Sequence, residues 1–184
     1  MKPTTGTSAR DPRVRRHVRV RGMIQGVGFR PFVHALARRL GLGGHVGHDA
    51  AGVFIEVEGE PGAVASFLDA LSEEAPALAR VESVEAEPHE ALGEGDFSIV
   101  ESVMIAGAVT PVAPDAATCE GCLRELHDPL DRRYRYPFIN CTSCGPRYTI
   151  IRDLPYDRPQ TTMAAFRMCA DCQREYDDPE DRRF

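Results

Sequence analysis

The sequence predicts an α+β protein: an antiparallel sheet built in the order β-α-β-β-α-β, followed by a small metal-binding module held by cysteines. Three observations carry that expectation. Hydrophobic periodicity switches between two and 3.6 in that order over residues 14 to 100. The pattern then dissolves into Gly, Ala, Val and Pro from Met104 to Ala117, the composition of a linker. All six cysteines lie beyond it, each in a Cys-x2-Cys pair.

Val14 to Ile24 alternates, with Val18, Val20 and Ile24 on one face and Arg19 and Arg21 on the other, as a half-buried strand does. The strand breaks into Gly22-Met-Ile-Gln-Gly-Val-Gly-Phe-Arg30-Pro31. Pro31 stands where a first helical residue tolerates losing its N–H, and Phe32, Val33, Leu36, Ala37 and Leu40 recur at helical spacing up to Gly41. Residues 43 to 59 read as a hairpin turning at Asp49 to Gly52, after which Val53, Ile55 and Val57 alternate with Glu56 and Glu58, expected to face water. Pro61 opens a second helix with Val64, Phe67, Leu68 and Leu71 as its stripe, ending near Ala75-Pro76. The strand from Ala79 to Glu87 slips its alternation between Val81 and Val84, which predicts a bulge, and Phe97 to Val100 completes the sheet. The predicted boundaries are 1–102 for this domain, 103–117 for the linker, 118–153 for a four-cysteine module and 154–184 for an incomplete second one.

The net charge of −6 is unevenly spread. Residues 1 to 45 carry ten Lys/Arg against one acid, and residues 46 to 100 one Arg against thirteen acids. Arg13, Arg15, Arg16, Arg19 and Arg21 are therefore expected to face acidic strands within the fold. No stretch has signal-peptide or membrane-span character, so the expected setting is the cytoplasm without a membrane partner. The cysteine segment is net acidic and has no basic stripe, which argues against nucleic acid.

Cys119/Cys122 and Cys141/Cys144 are separated by 18 residues, the spacing of a four-thiolate zinc module, with Gly145 permitting a tight turn beside the second pair. Four protein thiolates leave no open position, so the metal is expected to be structural; redox dithiols are the competing reading. Sixteen residues from Cys119 recur from Cys169 at an offset of 50, which makes Cys169/Cys172 the first half of a second copy. Its partner pair would fall near positions 191 and 194, beyond Phe184. The chain thus reads as a fragment, with Cys169 and Cys172 unmetallated or borrowing other ligands and the segment after about Asp153 loosely held. His127, His17, His34 and His89 have no companion at ligand spacing and are read as ordinary residues.

The glycine-rich loop has the makings of an anion site. Backbone N–H groups freed by glycine within Gly22 to Pro31 and pointed along a helix start make a pocket for an anion, and the Arg30 fork beside them can hold its oxygens. The bland alternative for Arg30 is a helix-start arginine in a surface salt bridge. As a dinucleotide fingerprint the loop fails, because Pro31 stands where a third glycine should follow.

Residues 17 to 101 resemble acylphosphatases, on Gly22-x-x-Gln25-Gly26-Val27-Gly28-Phe29-Arg30 and on the strand order. The resemblance implies a ferredoxin-like acylphosphatase sandwich. With the segments Pro114-Asp-Ala-Ala-Thr-Cys, Arg135-Tyr-Pro-Phe-Ile-Asn-Cys and Cys144-Gly-Pro-Arg added, nearly the whole chain is similar to the start of the hydrogenase-maturation carbamoyltransferases. What that implies is hydrolysis of carbamoyl phosphate at the loop and Arg30 by in-line attack of water. Carbamate would then pass to further domains that use ATP, and finally to a cysteine of a partner maturation protein. Acylphosphatases hold the attacking water with an asparagine near the end of the second strand; the matching position here is His48, and an exposed turn residue is its bland reading. Two other functions stay open: a general acylphosphatase with an appended zinc module, and a non-catalytic, zinc-dependent anion-binding module.

Overall fold

The computed structural model describes residues 13–49, 51–101, 113–154 and 156–184; most of the predicted linker and the first twelve residues lie outside that set. The elements run β1 (Val14–Met23), α1 (Phe29–Arg39), β2 (Gly43–Asp49), β3 (Gly52–Gly59), α2 (Pro61–Glu73), β4 (Arg80–His89), β5 (Phe97–Ile99), α3 (Glu120–His127) and α4 (Ala170–Asp177). Short 3-10 turns punctuate residues 142 to 165. The predicted β-α-β-β-α-β order is present.

The sheet order is β4-β1-β3-β2-β5. β1 pairs antiparallel with β3 and β4, and β2 with β3, but β5 runs parallel to β2, from Gly44↔Phe97 to Val46↔Ile99. An all-antiparallel sheet is therefore corrected at one edge. β4 finishes at the end of the sheet where β2 begins, so a chain crossing there enters beside β2 in the same direction. The predicted bulge is real: Arg21 pairs with Ser83 and Gly22 with Val81, so Glu82 is the extra residue.

α1 and α2 cover one face. Val18, Val20, Val46, Val53, Ile55 and Val57 from the sheet meet Phe29, Val33, Leu36, Val64, Phe67 and Leu71 from the helices, all buried. Each such side chain contributes about 1.5–3 kcal/mol relative to exposure. α1 begins at Phe29, two residues before the expected Pro31, because Gly28 takes the N-cap position. Its end is a Schellman closure, with Gly41 N–H donating to the Arg38 carbonyl and Leu42 N–H to that of Ala37.

The opposite face is a ladder of charge, as predicted for Arg13, Arg15, Arg19 and Arg21, whereas Arg16 donates to the Arg15 carbonyl. Arg15 holds Glu56 and Glu94, Arg19 holds Asp49, Arg21 pairs with Glu85, and Arg13 reaches Glu58. Glu58 does not face water as expected: it is fully buried and accepts from the N–H groups of Leu92 and Gly93 as well as from Arg13. Burial alone would raise its pKa, but these donors outweigh burial and hold it below the ordinary carboxylate value. Glu56 is likewise mostly covered, between Arg15 and His17. Leu92, Gly93 and Glu94 fold back over Arg15 and Glu58 on this face, and Glu58 is left fully buried.

The segment after Asp153, expected to be loosely held, docks onto both halves of the molecule. Thr142 N–H donates to the Arg182 carbonyl at 2.8 Å, Arg38 of α1 pairs with Glu180, and Tyr156 N–H bonds Gln25 of the glycine loop.

Candidate anion site and thiolate cluster

The strand β1 and the helix α1 are joined by the loop that carries the anion-site residues. Gly28, at φ +77°, caps α1 in the left-handed region that a side chain would disfavour, and this turns the first helical N–H groups toward the loop. Arg30 sits in the first turn, mostly covered at 22 % side-chain exposure. Gln25 is buried, with its Oε1 accepting from Tyr156 N–H at 3.0 Å.

His48 is not a turn residue. It lies within β2 on the same face as Val46 and is 2 % exposed, which removes its bland reading. Both of its ring nitrogens, and Nε2 of Gln25, are buried without a hydrogen-bond partner among the described residues. Burial first, and then the neighbouring Arg30 charge, lower the His48 pKa to about 4 against the pull of Asp157 and Asp49. At neutral pH it is an uncharged imidazole, able to accept one hydrogen bond and donate another.

The cysteine region roofs this loop, and sequence reasoning missed the residues that do so. Arg30 Nη2 donates to Asp157 Oδ1 at 2.7 Å, so the salt bridge considered for Arg30 exists, at the anion loop itself. A Cβ on Gly26 would lie 2.7 Å from the Tyr156 ring and 3.0 Å from Pro146, and one on Gly28 would lie 3.0 Å from Thr142. The loop glycines therefore serve close packing under the roof as well as backbone conformation. Nothing local marks Asp157, which is 127 positions from Arg30 and lies in a segment read as half of a metal module.

Cys119, Cys122, Cys141 and Cys144 converge, with their four sulfurs within 4.8 Å of one another. Cys119 Sγ is 3.6 Å from Cys141 Sγ, which is 3.8 Å from Cys144 Sγ. A tetrahedron with metal–sulfur bonds of about 2.3 Å has edges of about 3.8 Å, so the donor set fits a four-thiolate metal. Its chemistry asks for one. Burial and donors act on Cys119 in opposite directions, the donors prevail, and it is lowered to about 6, while burial and the adjacent sulfurs push Cys122 up to about 12. Four sulfurs this close cannot all ionise unless a cation neutralises them. Gly145 takes the expected tight turn at φ +72°. Cys169 and Cys172 stay outside the cluster, with Cys169 exposed, and His127 is exposed as expected.

One constellation hidden by sequence distance does form. On the charged face, His17 Nδ1 lies 2.7 Å and His89 Nδ1 3.4 Å from Glu56 Oε1, and the two rings stack at 5.3 Å. The histidines read as companionless thus share a carboxylate, because β1 pairs with both β3 and β4.

The Acylphosphatase family profile matches residues 16–99, and the HypF finger profile matches residues 118–151 and 168–184. The acylphosphatase of Thermotoga petrophila is 41% identical over 83 residues, covering 45% of this chain and 91% of that protein. The chain belongs to the acylphosphatase family through this domain, and carries a HypF-type finger after it. The Carbamoyltransferase HypF of Rhodobacter capsulatus is 55% identical over 169 residues, covering 91% of this chain and 22% of that protein. A crystal structure of full-length HypF, in a phosphate- and nucleotide-bound form, matches with a TM-score of 0.90 at 47% identity, covering 97% of this chain and 24% of the other. The chain spans about a fifth of the length of the curated HypF relatives it matches. No helix among the described residues is long and apolar enough to cross a membrane.

Proposed function

We propose that the chain is the opening part of a hydrogenase-maturation carbamoyltransferase, and that its first domain binds carbamoyl phosphate and hydrolyses it to carbamate and phosphate. The observation that carries this is a glycine loop with Arg30 beside it and a buried His48 behind it, its ring nitrogens without a hydrogen-bond partner among the described residues, in a chain 55% identical over 169 residues to a carbamoyltransferase. The phosphoryl oxygens lie on the N–H groups of Gln25, Gly26, Val27, Gly28 and Phe29 and on the Arg30 guanidinium, which stabilise the charge that grows in the transition state. His48, neutral, orients the water that attacks phosphorus. The bond from phosphorus to the carbamoyl oxygen breaks, carbamate leaves with that electron pair, and the water proton passes to solvent or to carbamate. Carbamate then goes to an ATP-using part of the full-length protein and on to a cysteine of a partner maturation protein.

In the same proposal Cys119, Cys122, Cys141 and Cys144 hold one structural zinc. Cys169 and Cys172 bind metal only with ligands from elsewhere. The Arg30–Asp157 pair favours a second reading, in which the loop binds an anion without turnover. Phosphate release from carbamoyl phosphate separates the two. Hydrolysis is expected for the wild type and about 100-fold less for Arg30→Ala, and equal turnover by both would sink the catalytic assignment. His48→Asn, which restores the carboxamide of acylphosphatases, is expected to raise the rate. Comparison with another acyl phosphate tests whether the carbamoyl group is preferred.

A further inference from the structure

The 50-residue repeat is a reciprocal clasp in space. The two copies have the same local fold. Leu123 N–H bonds the Cys119 carbonyl and Gln173 N–H the Cys169 carbonyl, both at 2.9 Å. Arg133 N–H bonds Asp131 Oδ1 and Arg183 N–H bonds Asp181 Oδ1, at 2.7 and 2.8 Å. Yet each copy's Asp-Arg-Arg turn caps the other copy's cysteines. Arg182 Nη1 lies 3.3 Å from Cys141 Sγ, 3.4 Å from Cys122 Sγ and 3.7 Å from Cys119 Sγ. Arg132 Nη1 lies 3.3 Å from Cys172 Sγ and 3.8 Å from Cys169 Sγ. The carboxylates that hold these arginines also correspond: Arg182 and Arg183 pair with Glu125, and Arg132 and Arg133 with Glu175.

Four thiolates around a divalent ion leave a net charge of −2, which makes every sulfur a target for protons and competing metals. A guanidinium nitrogen set against several sulfurs at once, with the other prong of the fork held by a carboxylate, offsets that charge and weakens their basicity. Arg182 reaches three of the four sulfurs, and the fourth, Cys144 Sγ, accepts from the Cys119 backbone N–H at 3.3 Å. Three sulfurs therefore face the cationic Nη1 group of the other copy's arginine, and the fourth faces a backbone N–H. We infer that Arg182, in the second copy, controls how tightly the first copy's four-thiolate site keeps its metal, with Arg132 playing the mirrored part at Cys169 and Cys172. The second copy is thus the charge-compensating lid of the first, whatever metal it holds itself. Arg182 acts through the thiolates as a positioning residue.

This rests on the zinc reading of the cluster, and the test keeps the two apart. Zinc release from the purified 184-residue chain is timed with a chromogenic chelator in excess. Arg182→Ala is expected to release zinc about 10–100-fold faster than wild type. Arg182→Lys, which keeps the charge but loses the fork, should fall between them, and Arg174→Ala, an exposed change on α4, should match wild type. In the cobalt-loaded chain the thiolate-to-cobalt charge-transfer band of Arg182→Ala should move to lower energy, a shift that loss of packing alone does not produce. Equal release by Arg182→Ala and wild type would overturn the clasp and leave the zinc reading standing. Should Arg182→Ala fail to fold, wild-type release by Arg182→Lys would overturn it instead. A wild-type chain without zinc would overturn the metal reading and the clasp with it.

Discussion

The two halves of the molecule are held together by opposite means. In the acylphosphatase domain, Val18, Val20, Ile55, Phe67 and Leu71 close a dry core between sheet and helices. In the finger region the buried hydrophobic cluster among the described residues is Cys122, Ile139, Cys141 and Cys144, while Leu130, Phe138 and Phe166 lie exposed. What stands in for a core there is a set of thiolates, arginines and carboxylates. A segment too small to bury enough apolar surface depends on a bound ion for its fold, whereas the domain beside it does not. The difference matters because the cysteine-held half roofs the glycine loop of the apolar half.

Stripping the metal should break the comparison most sharply. Structural zinc supplies about 10–16 kcal/mol of apparent binding free energy in finger peptides, so chelation is expected to abolish amide protection over residues 118–151. Residues 16–99 should keep theirs, as hydrogen exchange would show. The converse change, Phe67→Ala at the centre of the core, is expected to cost the first domain about 3–5 kcal/mol while zinc stays bound. Denaturant unfolding followed beside metal release checks that the halves respond separately.

Arg30→Ala should remove about 2.7–4 kcal/mol of transition-state stabilisation without unfolding either half, measured as phosphate release against the thermal midpoint. His48 gives a pH signature of similar size. Its native pKa of about 4 lies below the ordinary 6.5 of the unfolded chain, so between those values the unfolded state binds more protons. Stability should therefore fall as pH drops from about 6.5 to about 4, by roughly 3 kcal/mol. Denaturation at several pH values should show that slope, and His48→Asn should remove its share. The smallest effect tests the seam. Asp157→Asn frees Arg30 from a carboxylate and should tighten inorganic phosphate binding several-fold, about 1 kcal/mol by calorimetry. Unchanged affinity would mean that the roof does not compete with the anion.

Much of the first domain was legible in the chain because its signals are local. Alternation placed Val18 and Val20, helical spacing placed Val33 and Leu36, and even the bulge at Glu82 showed as a slip between Val81 and Val84. The burial of Glu58 was not legible, since its partners Leu92 and Gly93 come from the connection between β4 and β5, 34 and 35 positions along the chain. Of the candidate site, the loop and Arg30 could be read from the motif, and His48 from the family resemblance that matches it to an asparagine. The burial of His48 could not, nor could Asp157, Tyr156 and Thr142, which reach the loop only because the finger folds back over it.

By itself, then, the sequence determined the elements of the first domain, the glycine loop and the grouping of four cysteines, because periodicity, glycine conformation and cysteine spacing act over a few residues. Only the tertiary structure decided which copy's arginine meets which copy's sulfur, and which carboxylate sits on Arg30. Those contacts join residues 37 to 127 positions apart. They form because charged side chains kept partly from water must find opposite charge, and the fold alone decides which charges come within reach.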